Sequence, residues 1–325
     1  MTVSPATAGT QPGSNDVFSV QKYWKQQNFQ SSARLLMQAW LFKYQLGFDL
    51  HPKLVPRDGR TLKIADIGCA NCAWLLDTAR EFPQHEYHGF DITPAHFISR
   101  RYLPKNIKTH VWDAFTRPAE DFVGQFDIVH IRAIFSAVVN NNAGPLIESI
   151  LALLKPGGHV QWDESDVASW HTVTSFPGVP TAAMETMLKF QKHKIVDMGG
   201  LRGQWLRDLP TTLKQHGCEI LADERFHAGR ELYKAWADNS LTTWQMGFAN
   251  WPDRPLPLPD IEGLPKEVTR EWYLDLFEQC VQEAEQGATA LFDLHVLVVR
   301  KEEEEAEEKF ASGVVGSTNG WHRQY

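Results

Sequence analysis

Three carboxylates in the first part of the chain, Asp66, Asp91 and Asp113, each stand at or beside the carboxyl end of a short apolar run. Asp66 lies in Ile64-Ala65-Asp66-Ile67-Gly68-Cys69-Ala70-Asn71-Cys72, an apolar run that enters a turn of small residues and opens a helical stretch. Small residues at such a turn let a ligand approach the backbone, and the helix start beyond it offers unpaired N–H groups. Asp91 follows 25 residues after Asp66, where a carboxylate can accept hydrogen bonds from both hydroxyls of a ribose. Asp113, at the end of the third strand, is placed to accept from an adenine amino group. The set suits a nucleoside ligand without phosphates. Gly68 alone would be an ordinary turn glycine; the three successive acids give it meaning.

The acids need a scaffold, and the hydrophobic pattern supplies one. Asp16–Leu50 has a helical period, with Phe18, Leu35, Leu36, Ala39, Trp40, Phe42 and Leu46 at three- and four-residue spacings. Strands are then expected at Leu62–Ile67, Tyr87–Ile92, His110–Trp112, Phe126–Ile131 and His159–Trp162. Helices are expected at Trp74–Ala79 and Pro145–Leu154, the second stopped by Lys155-Pro156-Gly157-Gly158. Strands alternating with helices mean a mostly parallel sheet covered on both faces. After Glu164 the texture changes, with helices expected at Thr181–Val196, Gln204–His216, Glu231–Phe248 and Lys266–Gln286. Two further strands are expected at Cys218–Ala222 and Leu294–Val299. The fold class is thus α/β: a doubly wound, seven-stranded, Rossmann-like sheet, capped by helices before it and interrupted by helices late in it. Residues 1–16 and 302–325 read as tails, 17–60 as the cap, and 61–301 as the main domain, with insertions at about 165–216 and 228–290.

Charge narrows the class of partner. The 325 residues hold 32 Lys and Arg against 40 Asp and Glu, a net charge of −8. Residues 301–309 carry six acids and two bases, so half of that charge belongs to a terminal run. The balanced remainder argues against nucleic acid. No apolar run approaches the ~18 residues that span a membrane. Four cysteines, Cys69, Cys72, Cys218 and Cys280, are too few for a disulfide scaffold and fit a cytoplasmic location. The expected partner is a small molecule, with a homodimer allowed.

Other constellations are weaker. Cys69-Ala-Asn-Cys72 matches a redox or metal motif, but no second pair accompanies it, and no metal site is expected. His85 and His88 read as surface residues. Gly68, Ala70 and Ala73 could be a degraded dinucleotide fingerprint, but only one glycine survives. Trp205, Trp236, Trp244 and Trp272 read first as core residues of amphipathic helices; the high total of 12 Trp leaves room for an aromatic pocket.

Taken together, residues 17–173 resemble class I S-adenosylmethionine-dependent methyltransferases, in the branch serving fungal secondary metabolism. The resemblance rests on Arg34-Leu35 with Gln38, Leu50-His51-Pro52, Ala65-Asp66-Ile67-Gly68 and Gly89-Phe90-Asp91-Ile92. It continues through Phe126-Asp127-Ile128-Val129-His130-Ile131-Arg132, Leu154-Lys155-Pro156-Gly157-Gly158 and Gln161-Trp162-Asp163-Glu164. It implies S-adenosylmethionine as cofactor, with Asp66 and Gly68 bordering its methionine part, Asp91 on the ribose, Asp113-Ala114 at the adenine, and Ala70 and Ile92 as further cofactor contacts. The chain departs from the family pattern at Ala70 and Cys72, where glycine is usual, and at Ala39, where histidine is usual.

The resemblance implies methyl transfer to an oxygen or nitrogen of a small metabolite. A non-methylating reaction on the same fold and a regulatory protein with a vestigial site stay open. If the acceptor needs a base, His171 and Glu164 are the candidates, then Asp166. Arg132 could pair with the cofactor carboxylate or with Asp163, and Tyr23 could close over the cofactor as a lid.

Overall fold

The computed structural model describes residues 28–56, 58–193, 203–248 and 254–303. Tyr23 and the rest of residues 17–27 lie outside the described residues. Helix α1 spans Phe29–Leu46; Asn28 caps it by accepting the Ser31 N–H, and Gly47 ends it at φ +79°. The helical period read from Asp16 therefore does not run through unbroken: Asn28 has extended backbone, as a cap residue must.

The sheet is built from β1 (Lys63–Ile67), β2 (Glu86–Asp91), β3 (Ile107–Val111), β4 (Phe126–Arg132), β5 (Leu154–Thr174), β6 (Cys218–Phe226) and β9 (Ala288–Lys301). The order is β3-β2-β1-β4-β5-β9-β6. Strands β3 to β5 pair in parallel, whereas β9 runs antiparallel to both β5 and β6. The expected doubly wound, seven-stranded sheet is therefore present. A short two-stranded antiparallel sheet pairs β7 (Leu256–Pro257) with β8 (Glu267–Val268).

Helices α2 (Ala73–Glu81), α3 (Gly144–Leu153), α4 (Ala182–Gln191), α5 (Gln204–Gln215), α6 (Tyr233–Phe248) and α7 (Arg270–Glu285) complete the chain. One face of the sheet packs Leu146, Ile150, Trp205 and Leu209 from α3 and α5. The other packs Leu41, Phe42, Trp74, Leu75 and Trp236 from α1, α2 and α6. A satellite core joins α4, α6 and α7 through Met184, Met187, Trp244 and Tyr273. Trp205, Trp236 and Trp244 are core residues, as their helical spacing indicated. Among the described residues no helix is long and apolar enough to cross a membrane.

Two strands differ from the sequence expectation. Strand β3 begins at Ile107 and ends at Val111, so Asp113 lies two residues beyond it. Strand β5 does not stop at Trp162. It continues past Glu164 to Thr174, paired with β9 as far as Thr174 opposite Ala288. A register shift between Asp166 and His171 breaks the alternation, which is why the polar Asp163-Glu164-Ser165-Asp166 run reads as a strand end. Residues 165–174 are thus strand and not insertion.

His85 and His88, expected at the surface, are buried, 1% and 4% exposed. His85 accepts the Leu62 N–H, and His88 bonds Glu86 and His110 across β2 and β3. Tertiary partners meet both rings, although His85 Nε2 is buried without a hydrogen bond, and a local polar stretch does not reveal this.

Candidate functional site

The strand order reverses between β1 and β4, and in open α/β sheets a ligand lies beyond the carboxyl strand ends at that point. The turn after β1 sits there. Gly68 has φ +73°, and the N–H groups of Gly68 and Cys69 both donate to Phe90 O, at 2.8 and 3.0 Å. Ala70 and Cys72, at the positions where glycine is usual, keep the left-handed backbone with φ +43° and +61°. The turn has therefore kept its path without its glycines, at about 1–2 kcal/mol for each such residue. Ala70→Gly is expected to stabilise the protein by about 1 kcal/mol, raising the thermal midpoint by roughly 2–4 °C. A lower midpoint in thermal unfolding would contradict that account of the turn.

The turn and β2 are locked together through Asp91. Its Oδ2 accepts the Ala70 N–H at 3.0 Å and its Oδ1 accepts the Thr93 N–H at 3.2 Å. Burial raises its carboxyl above the usual range, and those two bonds work against the rise. Ile92, next to it, is 61% exposed. Trp112 N–H donates to Asp91 O at 2.9 Å, and Asp113 Oδ1 accepts the Phe115 N–H at 3.0 Å, forming the turn that carries Ala114. The structure therefore brings Gly68, Ala70, Asp91, Ile92 and Asp113 to one edge of the sheet. Helix α1 reaches the same edge, where Asn71 Nδ2 donates to Ser32 O at 3.1 Å.

Asp66 is placed differently. It is buried, and its Oδ1 lies 2.7 Å from His130 Nδ1 on β4, directly opposite in register. The other ring nitrogen faces Asp163 Oδ2 at 3.2 Å, and Trp74 stacks on the ring with centroids 3.7 Å apart. Arg132 donates to the same Asp163 oxygen from Nε and Nη2, at 3.0 and 2.8 Å. Arg132 thus takes the Asp163 partnership of its two sequence alternatives, and its Nη1 lies 3.6 Å from Asp49 Oδ1. Asp49 in turn pairs with Lys43 of α1, while Gln161 Nε2 bonds both Asp163 and Asp49 O. Burial opposes the charge on His130, but the hydrogen bonds to Asp163 and Asp66 outweigh it and hold the imidazolium above its usual range. Burial likewise works against the Asp163 carboxylate, yet Arg132 and His130 hold its carboxyl below the usual range.

The sequence reading missed His130, Asp49 and Lys43. The available signal was three polar residues, Asp66, His130 and Asp163, inside apolar strands, since buried charges must find one another.

Glu164 and His171, the candidate bases, are not brought together. His171 is exposed, with Nδ1 2.8 Å from Ser169 O, beyond the register shift in β5 and opposite Leu291. Asp166 lies 3.6 Å from Arg225. Glu164 is 1% exposed and accepts the N–H of Ile134 at 2.9 Å and of Ser165 at 3.0 Å. It anchors the loop after β4, in which Ala133 has φ +54° and Ile134 Cδ1 comes within 3.9 Å of where a Gly68 side chain would begin. Burial pushes its carboxyl up to about 8.

That shift has a consequence for stability. Between the ordinary glutamate range and about pH 8 the native state holds a proton that the unfolded chain has released. Stability is therefore expected to fall as pH rises through that window, by on the order of 5 kcal/mol in total. His130, also raised, adds to the loss as pH climbs through its folded value. Denaturant unfolding from pH 5 to pH 9 measures the slope, and Glu164→Gln should flatten most of it; an equal slope in the variant would refute the assignment to Glu164.

A family profile described as a methyltransferase domain matches residues 65–160, less than half of the chain. That stretch begins in β1 and ends in β5, so it contains the turn, Asp91, Asp113 and the His130 strand. Residues 65–160 carry a methyltransferase domain.

Similar curated proteins include the methyltransferase grgD of Penicillium sp, 34% identical over 125 residues, covering 35% of this chain and 43% of that protein. The N-methyltransferase tcpN of Claviceps purpurea is 28% identical over 183 residues, covering 54% and 63% of the two chains. The secondary metabolism regulator laeA of Coprinopsis cinerea is 34% identical over 101 residues, covering 31% and 24%. The chain thus spans about half the length of the first of these relatives. The methyltransferase domain has residues that suit the cofactor: a Gly68 open to close approach, and an Asp91 carboxylate fixed by two N–H groups beside exposed Ile92. Among the described residues no group of three or more His, Cys, Asp or Glu could hold a metal ion.

Proposed function

We propose that the protein binds S-adenosylmethionine across the ends of β1, β2 and β3 and transfers its methyl group to a nitrogen of a small, apolar or aromatic metabolite. Asp91 and Ile92 would take the ribose, Asp113-Ala114 the adenine, and Gly68 and Ala70 the methionine part. The observation that carries this is the turn itself: Ala70 and Cys72 hold a glycine-like path, and the Ala70 N–H fixes Asp91. When bound, the cofactor supplies an activated methyl group and its leaving group. The remaining task is to hold the acceptor about 3–3.5 Å from the methyl carbon in line with the breaking bond, which can lower the barrier by roughly 7–11 kcal/mol.

Nitrogen is preferred to oxygen because an amine presents a lone pair without a strong base. The sequence candidates fit a basic role poorly, since Glu164 is buried and protonated near neutral pH and His171 faces solvent. The relative tcpN, named an N-methyltransferase, supports the same choice. We place the substrate pocket under α4 to α7, the helices inserted late in the sheet, with residues 17–60 as a cap. Arg132 and Asp66 would act from beneath the site, through the buried ionic cluster.

The test is S-adenosylhomocysteine formation from S-adenosylmethionine with matched panels of aromatic amines and phenols. Turnover confined to amines is the expected result. Turnover confined to phenols would move the acceptor to oxygen. Cofactor binding with no turnover on either panel would favour the regulatory reading, to which the similarity with laeA gives its one support.

A further inference from the structure

Cys69 and Cys72 bracket Ala70 in the cofactor turn, and methyl transfer makes no use of their thiols. Both are free and buried, 6% and 0% exposed. The Cys72 N–H donates to Cys69 O at 2.7 Å, closing a four-residue turn. The ends of such a turn lie within about 7 Å, close to the roughly 4.4–6.8 Å that a disulfide bridges. Each thiol also shifts the titration of the other. Space for the Cys69 sulfur is left by Gly89 on β2, where an added Cβ would stand 2.7 Å from Sγ. Cys72 sits at φ +61°, a conformation that glycine would adopt without strain. The chain thus keeps a strained side chain there, and that side chain is a thiol facing another thiol.

We propose that Cys69 and Cys72 form an oxidisable dithiol that hydrogen peroxide closes to a disulfide, and that closure weakens cofactor binding at the same turn. The interaction between them raises the Cys69 thiol well above its usual range and lowers that of Cys72, so Cys72 is the sulfur that ionises first. The Cys72 thiolate attacks one peroxide oxygen, the O–O bond breaks, and hydroxide leaves and takes up a proton as water. The Cys69 sulfur then attacks the resulting Cys72 sulfenic acid, forming the S–S bond and releasing a second water with the Cys69 proton. Two thiols are oxidised and one peroxide is reduced. A small, neutral oxidant suits buried sulfurs. The link to binding is Ala70, which lies between them and whose N–H orients the Asp91 carboxylate at 3.0 Å. The binding half of the proposal rests on the assignment of Asp91 to the cofactor; the disulfide half does not.

Full-length protein treated with hydrogen peroxide is examined by peptide mapping and by calorimetric titration with S-adenosylhomocysteine, before treatment, after it, and after dithiothreitol. Expected is the loss of two hydrogens on the peptide holding Cys69 and Cys72, with affinity weakened about tenfold or more and restored by reduction. Prior saturation with S-adenosylhomocysteine should slow the oxidation. Cys72→Gly, whose new residue suits the backbone, should give neither the mass change nor the loss of affinity. Absence of a Cys69–Cys72 disulfide, or a disulfide with affinity unchanged, overturns the proposal. If the reduced protein binds no S-adenosylhomocysteine, the cofactor assignment and with it the binding half fail, and the mapped disulfide alone decides the chemical half.

Discussion

Asp91→Ala is expected to weaken S-adenosylhomocysteine binding about a hundredfold in calorimetric titration, leaving the fold intact. The carboxylate is fixed from behind by the Ala70 and Thr93 N–H groups, one on each oxygen. Each oxygen has a second lone pair for a ribose hydroxyl, and a hydrogen bond to a charged group is worth roughly 1.5–3 kcal/mol. Two such bonds at the low end of that range amount to about 3 kcal/mol, roughly a hundredfold. Asp91→Asn should fall between the two, because its amide keeps one acceptor and turns the other into a donor. Unchanged affinity in Asp91→Ala would remove the ribose from β2 and the nucleoside assignment with it. The substitution also frees the Ala70 N–H, so circular dichroism and thermal unfolding of the variant separate lost contact from a disturbed turn.

The second large effect is on stability. Asp163 is fully buried and faces two cations, His130 at 3.2 Å and Arg132 at 2.8 Å. Removing its charge by Asp163→Asn strands those cations in the interior with only Asp66 and Asp49 to balance them. Breaking a buried pair in this way costs about 3–5 kcal/mol. Denaturant unfolding at fixed pH should show a loss of that size. Adding His130→Gln to Asp163→Asn should recover part of it, since one stranded cation is then gone. Strict additivity of the two substitutions would mean that His130 and Asp163 are not coupled.

This cluster also explains how the cap is joined to the sheet. Trp74 stacks on His130 and donates from Nε1 to Asp49 O at 3.0 Å, while Lys43 of α1 reaches Asp49 at 2.5 Å. The strand that ends at the Gly68 turn, the strand across the switch point and α1 thus meet in one buried set of charges. Asp66 belongs to that set, so its part in the site is to hold β1 in register with β4.

Much of this was legible in the residues. The alternation of apolar runs and helical periods placed a strand within or overlapping each of the seven strands of the sheet, because buried parallel strands are nearly continuous in Val, Ile, Leu and Phe. Asp91 and Gly68 were legible because each punctuates such a run. The course of β5 was not, since its second half is half-exposed, polar and broken by a register shift, and only β9 holds it in the sheet. Nor were the buried histidines. A histidine carries no local sign of whether water or a carboxylate will meet it, and His88 and His130 have partners 22 and 64 residues away.

What the sequence by itself determined is the sheet, its glycine turn and the acids that mark the ligand edge, because hydrophobic period and turn chemistry are local properties. The tertiary structure decided which acids face that edge. It left Asp91 and Asp113 there and drew Asp66 inward to His130, since a charge in a buried strand is stable only where another strand brings its counter-charge. It also decided that Ala70 and Cys72 stand in for glycine. That substitution reads as damage in one dimension; in three, the bonds to Phe90, Cys69 and Asp91 hold the same left-handed path and bring two thiols together.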